Sequence, residues 1–204
     1  MAVALIGDLV DSRAWDDRGA LHRAVLQACA VTAEMVPGAV QAPEPTIGDE
    51  LQAVYPDIAT ALDAAMILRL SLPHPADCRA GIGVGDVEIV GPGAYGLIQD
   101  GSAWWAAREA LEDVERQERR IRGMRTRVWA AEGYEKGEFV NAYAVCRDHI
   151  VSGLDERQRR LTLGVLRGLT QEELAEQEGI TQSAVSQSLR RSGALALKDA
   201  WSRS

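Results

Sequence analysis

The sequence has no run of about eighteen apolar residues, so no membrane-spanning helix is expected. It also lacks the basic lead and cleavage site of a secretory signal: MAVALIGDLVDSR runs straight into acidic residues, and a cytoplasmic location is the expectation. Cysteine is scarce. Cys29, Cys78 and Cys146 are scattered and odd in number, which gives no metal spacing and no disulfide framework. They read as buried free thiols in a reducing compartment. The three histidines, His22, His74 and His149, stand alone and read as surface or cap residues. Positive charge is in short supply, with 22 Lys and Arg against 30 Asp and Glu and a net charge of −8. The deficit is uneven. Residues 1–150 carry 14 basic against 23 acidic side chains, a net of −9, whereas residues 151–204 carry 8 against 7. An acidic larger part argues against strong non-specific nucleic-acid binding, so any DNA binding must lean on base contacts and dimerisation.

What is present is most specific in Thr170–Arg191, TQEELAEQEGITQSAVSQSLRR. Thr170 and Glu173 have capping-box spacing, and Gly179 falls where a helix must stop in a left-handed turn. Thr181 caps a second helix whose Val185 and Leu189 share one face. Its other face carries Gln182, Ser183, Ser186 and Gln187, with Arg190 and Arg191 at its end. Such side chains reach base edges and phosphates. This is the helix-turn-helix plan, in which the second helix enters the major groove of double-stranded DNA. A helical hairpin docking onto protein is the competing reading. Asp155–Gly168 reads as a supporting helix and Ala194–Trp201 as a closing one.

Earlier in the chain, Val3–Leu9 is an apolar strand that delivers Asp8 at its end, with Asp11, Ser12 and Arg13 in the turn beyond. Gly19–Met35 is an amphipathic helix with Leu21, Val25, Leu26, Cys29 and Thr32 near one face. Pro37–Pro45 reads as a loop, and Thr46–Tyr55 as a hairpin turning at Gly48-Asp49. Asp57–Leu72 is a second helix, N-capped by Asp57. Cys78–Val90 reads as strand-turn-strand, and Gly81, Gly83 and Gly85 clear its face for a ligand or another backbone. Gln99-Asp100-Gly101 reads as a turn. Ser102 caps a helix running to about Ile121, and Trp104 and Trp105 read as core or dimer-interface residues rather than base-stacking platforms. Arg116–Arg127 holds six arginines among twelve residues and reads as a solvated helix end. Thr126–Ala131 is a last strand, and Glu138–Ser152 a helix linking to the C-terminal part.

The order βαββαβ is that of a ferredoxin-like α+β domain: an antiparallel sheet with helices, followed here by a small all-α helix-turn-helix domain. The expected boundaries are 1–136 for the sheet domain, 137–153 for a linker helix and 154–204 for the reader. In such a sheet Asp8 and Asp49, 41 residues apart, reach one rim. Two carboxylates sharing a site either share a proton or hold a hard cation such as Mg²⁺.

IGDLVDSR, TIGDEL, CRAGIGVGDVEIVG and DGSAWWAAREA together resemble the class III nucleotidyl cyclases, and Gly48-Asp49-Glu50 is as close to the GGDEF-type palm. The resemblance spans about residues 3–131. It implies Asp8 and Asp49 as ligands of Mg²⁺ or Mn²⁺. It also implies phosphate contacts from Leu9, Val10, Asp11, Ser12, Arg13 and Gly48, and Arg108 as the arginine that stabilises a phosphoryl transition state. Two departures stand against full activity. The adenine-selecting lysine falls at Pro45 and the ribose-orienting asparagine at Trp104, and neither replacement supplies the charge or amide. Over nearly the full length the chain resembles the SatD family, and its C-terminal part resembles the readers of sigma-factor region 4 and LuxR-type regulators. The expected function is a DNA-binding transcriptional regulator whose degenerate cyclase-like domain senses a nucleotide or cyclic nucleotide as a homodimer. An active metal-dependent nucleotidyl cyclase is the alternative, and a pure interaction scaffold a third reading.

Overall fold

The computed structural model describes residues 1–10, 12, 15–46, 48–93, 96–130 and 137–201. Among them are a five-stranded, mostly antiparallel sheet, a separate two-stranded ribbon and eight α-helices. The order is β1 (Ala2–Val10), α1 (Arg18–Met35), β2 (Gln41–Pro45), β3 (Glu50–Tyr55), α2 (Ile58–Ser71), β4 (Asp77–Gly85), β5 (Glu88–Gly93), β6 (Gly96–Asp100), α3 (Ser102–Gln117), β7 (Thr126–Ala130), α4 (Gly137–Ser152), α5 (Glu156–Leu166), α6 (Gln171–Glu178), α7 (Gln182–Arg191) and α8 (Ala194–Trp201). Among the described residues no helix is long and apolar enough to cross a membrane.

The sheet order is β2-β3-β1-β4-β7, with only the β4–β7 pair parallel. Because β1 is apolar at almost every position, both of its faces are buried. Val3, Leu5 and Leu9 join Leu21 and Val25 of α1 and much of α2 in the main core. Ala4 and Ile6 face the other way, against Ala103, Trp104, Ala107 and Leu111 of α3. The glycines at 81, 83 and 85 are there for α3. A Cβ on Gly83 would stand 2.0 Å from the carbonyl oxygen of Ala103 and 2.2 Å from the nitrogen of Ala107. Of the two partners expected for that cleared face, the structure supplies a helix backbone.

Several local expectations are corrected. Residues 41–45 are an edge strand, not loop: among the described residues β2 pairs only with β3, and the register shifts between Gln41 and Glu44, around Pro43. An edge strand with a bulge tolerates residues that cannot donate to the ladder. Residues 88–93 do not fold back on β4; they pair with 96–100, so Gln99 and Asp100 lie in a strand. Gly101, not Ser102, is the N-cap of α3, and the Ser102 hydroxyl accepts from the Asp86 amide at 2.9 Å. The helix ends at Gln117, after which the chain turns to bury Met124. Leu26 is exposed, and Ala28 and Val31 take its place in the core. Cys146 is exposed, unlike Cys29 and Cys78. Within 116–127, Arg119, Arg120 and Arg122 are solvated, while Arg125 and Arg127 are ion-paired to Asp77, Glu118 and Asp113.

Helix α4 is part of the main core rather than a bare link. Ala144 and Val151 are buried in it, and the Asn141 carboxamide bonds both the N–H and the carbonyl of Val128 on edge strand β7. The C-terminal helices have a core of their own, built from Leu161, Val165, Leu174, Val185 and Leu189. They are also anchored, since Leu154, Leu166 and Leu197 belong to the main core. Arg159 of α5 donates to the carbonyl of Ala76 at 2.9 Å.

Candidate functional site

Strand register builds the rim at the end of β1. Asp8 lies opposite Glu50 of β3 and Arg79 of β4, and directly opposed residues share a face. That face is the one covered by α3. Arg79 donates to Asp8 Oδ2 at 2.9 Å and, as a fork, to both oxygens of Glu118 just past α3, at 3.0 and 2.7 Å. Arg108 of α3 donates to Glu50 Oε2 at 2.6 Å, and Gln52 to Glu50 Oε1 at 3.0 Å.

Asp49 arrives by a different route. Gly48 holds φ at +84°, where a residue without Cβ is at no disadvantage. The Asp49 carbonyl accepts the Leu9 amide at 3.1 Å. Its carboxylate accepts from the Ser12 hydroxyl and, at 3.0 Å, from Arg18 at the start of α1. Arg18 also holds the Ser12 carbonyl at 3.1 Å. Asp49 lines a small cleft of about 90 Å³ with Leu9, Arg18, Leu21 and Val25, on the α1 side of the sheet.

The structure thus brings Asp8 and Asp49 to one rim but not into one oxygen cage. They remain near enough for the Asp49 charge to act on Asp8. Burial, only partly offset by Arg79 and added to by Glu115 and Asp49, holds the Asp8 carboxyl above its ordinary value of 3.8. Glu118 is shifted the other way, chiefly by the hydrogen bonds from Arg79. A hard cation needs carboxylate oxygens free of competing cations. Here each aspartate already holds a guanidinium, and among the described residues no cluster of three His, Cys, Asp or Glu could hold a metal ion. As arranged, both aspartates are committed to arginines, and no chemical step is assigned through a metal.

Of the other expected phosphate contacts, the Leu9 side chain is buried and its amide is spent on Asp49. Val10 is the half-buried last residue of β1, and the Ser12 hydroxyl is spent on Asp49. Asp11 and Arg13 lie outside the described residues. Arg108 is half-exposed at the rim, held by Glu50. Arg18, Arg79 and Glu118 were not singled out from sequence, and Glu50 only as part of the Gly48-Asp49-Glu50 turn. For Arg79 a signal existed: it has the same strand parity as Gly81, Gly83 and Gly85, and so had to share their face.

A carboxylate whose folded value is raised opposes folding once ionised. The folded state binds the proton more tightly, so stability is lost as pH rises through that range. Asp8→Asn is therefore expected to leave the melting temperature at pH 7 unchanged or raise it by up to about 3 °C, with the gain shrinking below pH 4. Thermal melts at pH 7 and pH 3.5 check this. A fall at pH 7 would mean that the Arg79 ion pair outweighs the burial.

At the C-terminal end, Thr170 and Glu173 form the expected capping box of α6, and Gly179 ends it in the left-handed conformation at φ 63°. Thr181 caps α7, accepting from the Ala184 amide at 3.2 Å. Val185 and Leu189 are buried. Thr181, Gln182, Ser183, Gln187, Arg190 and Arg191 are exposed, and Ser186 is half-buried.

Sheet, rim and helical tail define a mixed α+β protein with a carboxylate–arginine rim at one end of its central strand and a polar, solvent-facing helix near its C-terminus. The chain belongs to the SatD family, whose model matches residues 2–198. No curated protein and no solved structure matches it.

Proposed function

We propose that this protein is a DNA-binding transcriptional regulator in which a nucleotidyl-cyclase-like domain senses a nucleotide or cyclic nucleotide. The observation that carries the reading is the outward face of α7, where Gln182, Ser183, Gln187 and Arg190 are exposed while Val185 and Leu189 anchor the opposite face. A second helix after a left-handed glycine turn, with an adaptable polar face, is what a helix-turn-helix reader presents to the major groove. The bundle packed from α5 to α8 supports treating residues 154–204 as that reader. Strand order β2-β3-β1-β4, antiparallel throughout, supports a ferredoxin-like sheet domain of the cyclase kind.

The weak positive balance of the tail favours base contacts over bulk phosphate attraction. A homodimer in the cytoplasm would present two readers to half-sites about 34 Å apart or a multiple of that. A ligand would act by favouring one spacing over another. Mg²⁺ or Mn²⁺ belongs to this proposal as an ion carried in by a ligand's phosphates, taking up Asp8 or Asp49 only where Arg79 or Arg18 gives way.

The test is selection of genomic DNA fragments by the full chain, followed by gel shifts on the selected sites with and without nucleotides. Gln187→Ala and Arg190→Ala should each weaken site-specific binding by about 5- to 150-fold, the worth of one good base contact. Both side chains are exposed, so melting temperatures should not move. Undiminished binding by both variants, or no selection of specific fragments, would remove the reader.

A further inference from the structure

On the α3 face of the sheet lies a cleft of about 400 Å³, within the size range of small-molecule sites. Ile6 of β1 supplies an apolar surface; Gln52 and Gln99 bring carboxamides from β3 and β6; Trp104, Trp105 and Arg108 line it from α3. The polar groups are held in place from behind. Gln99 donates to Gln41 Oε1 at 2.7 Å, and Gln52 and Arg108 are both held by Glu50. Trp105 is tied through its N–H to Asp100 at 2.9 Å, yet the residue is 63% exposed. Two polar atoms of the lining residues are buried without a partner: the Trp104 indole N–H, a donor, and Gln99 Oε1, an acceptor. Unpaired buried donors and acceptors are uncommon, and both of these belong to side chains that line this cleft.

We infer that this cleft binds the base of a nucleotide, with Trp105 against the ring, the Gln52 and Gln99 carboxamides along its hydrogen-bonding edge, and Arg108 on the phosphate. This rests on the nucleotide-sensing reading above and gives it a location. Indoles stack on any base, carboxamides match the alternating donors and acceptors of a base edge, and a guanidinium complements phosphate. The lysine and asparagine that serve base and sugar in the cyclases are replaced here by Pro45 and Trp104. Recognition has moved to the surface between β1, β3 and α3, outside the carboxylates of Asp8 and Asp49.

The experiment is titration calorimetry on the full chain with AMP, GMP, their 3′,5′-cyclic forms, and adenosine and guanosine, with and without Mg²⁺. Trp105→Ala removes an exposed ring without opening the core and should weaken nucleotide binding by about 5- to 150-fold. Gln52→Leu with Gln99→Leu should change the preference between adenine and guanine forms. Arg108→Met should abolish the advantage of nucleotide over nucleoside. If nucleotides bind the wild-type chain and all three variants equally, the cleft assignment is wrong while nucleotide sensing stands. If no probe binds the wild-type chain, both fall, and the DNA-binding test is untouched.

Discussion

Arg69→Met is expected to cost the fold about 3–5 kcal/mol, the range for removing one partner of a buried ion pair. That is a large share of the roughly 5–15 kcal/mol that holds a domain together. Arg69 is 1% exposed. It donates to Asp77 at 2.8 and 3.0 Å, to Asp148 Oδ1 at 2.9 Å and to the Ser152 hydroxyl at 2.7 Å. A single guanidinium therefore joins α2 to β4 and α4. Methionine fills the volume but leaves two buried carboxylates short of their shared cation. Lysine would keep the charge but cannot spread its donors over both acids in one plane.

The pH dependence gives the mechanism a signature. Burial alone would raise the Asp77 carboxyl, but the charge and hydrogen bonds of Arg69, with help from Arg125, pull it below its ordinary value of 3.8. A lowered carboxylate stabilises the fold above 3.8, and that contribution is lost as pH falls through the folded value. In Arg69→Met the burial at Asp77 is opposed chiefly by Arg125 and the Cys78 amide, and protonation becomes less costly. The deficit against wild type should be widest near pH 7 and narrow towards pH 4. Urea titrations at both values measure it. A loss below about 1 kcal/mol at pH 7, or one independent of pH, would show that the cluster is not organised around this charge.

Gly83→Val is the second large effect. Its Cβ would stand 2.0 Å from one backbone atom of α3 and 2.2 Å from another. No side chain can rotate away, so α3 must lift off the sheet. A loss of about 3 kcal/mol or more is expected, at or above the usual cost of overpacking. Lifting α3 also moves Trp104 and Arg108 away from Ile6 and Gln52, so any nucleotide affinity should fall with stability. Gly91→Ala is the control, because a Cβ there meets nothing within 4 Å. Thermal melts and near-ultraviolet circular dichroism distinguish them; equal stability of the two variants would mean that α3 sits less tightly than the close approach implies.

What could be read in advance was local. Thr170, Glu173, Gly179 and Thr181 marked the ends of α6 and α7 because caps act within three or four residues of themselves. Asp57 marked the start of α2 in the same way, accepting from the Thr60 amide at 2.9 Å. The features that local spacing hides are of another kind. β2 carries prolines that look like loop until a neighbour shows it to be an edge. Gln99 and Asp100 look like a turn until β5 pairs with them. Leu26 has helix-face spacing, but whether a stripe is covered depends on what packs there.

The sequence by itself determined the caps of α2, α6 and α7, the apolar central strand and the polarity of α7, since each depends on backbone preferences and spacing along a few turns of chain. Only the tertiary structure decided which arginine meets which acid. Arg79 lies 71 residues from Asp8, and Arg69 lies 79 from Asp148. Strand register and helix packing set those meetings, and a chain with this many arginines and acids offers many other pairings of similar local plausibility. The same holds for the rim: spacing brought Asp8 and Asp49 to one edge, but the alternation of side chains and the packing of α1 and α3 sent their carboxylates to different guanidinium groups.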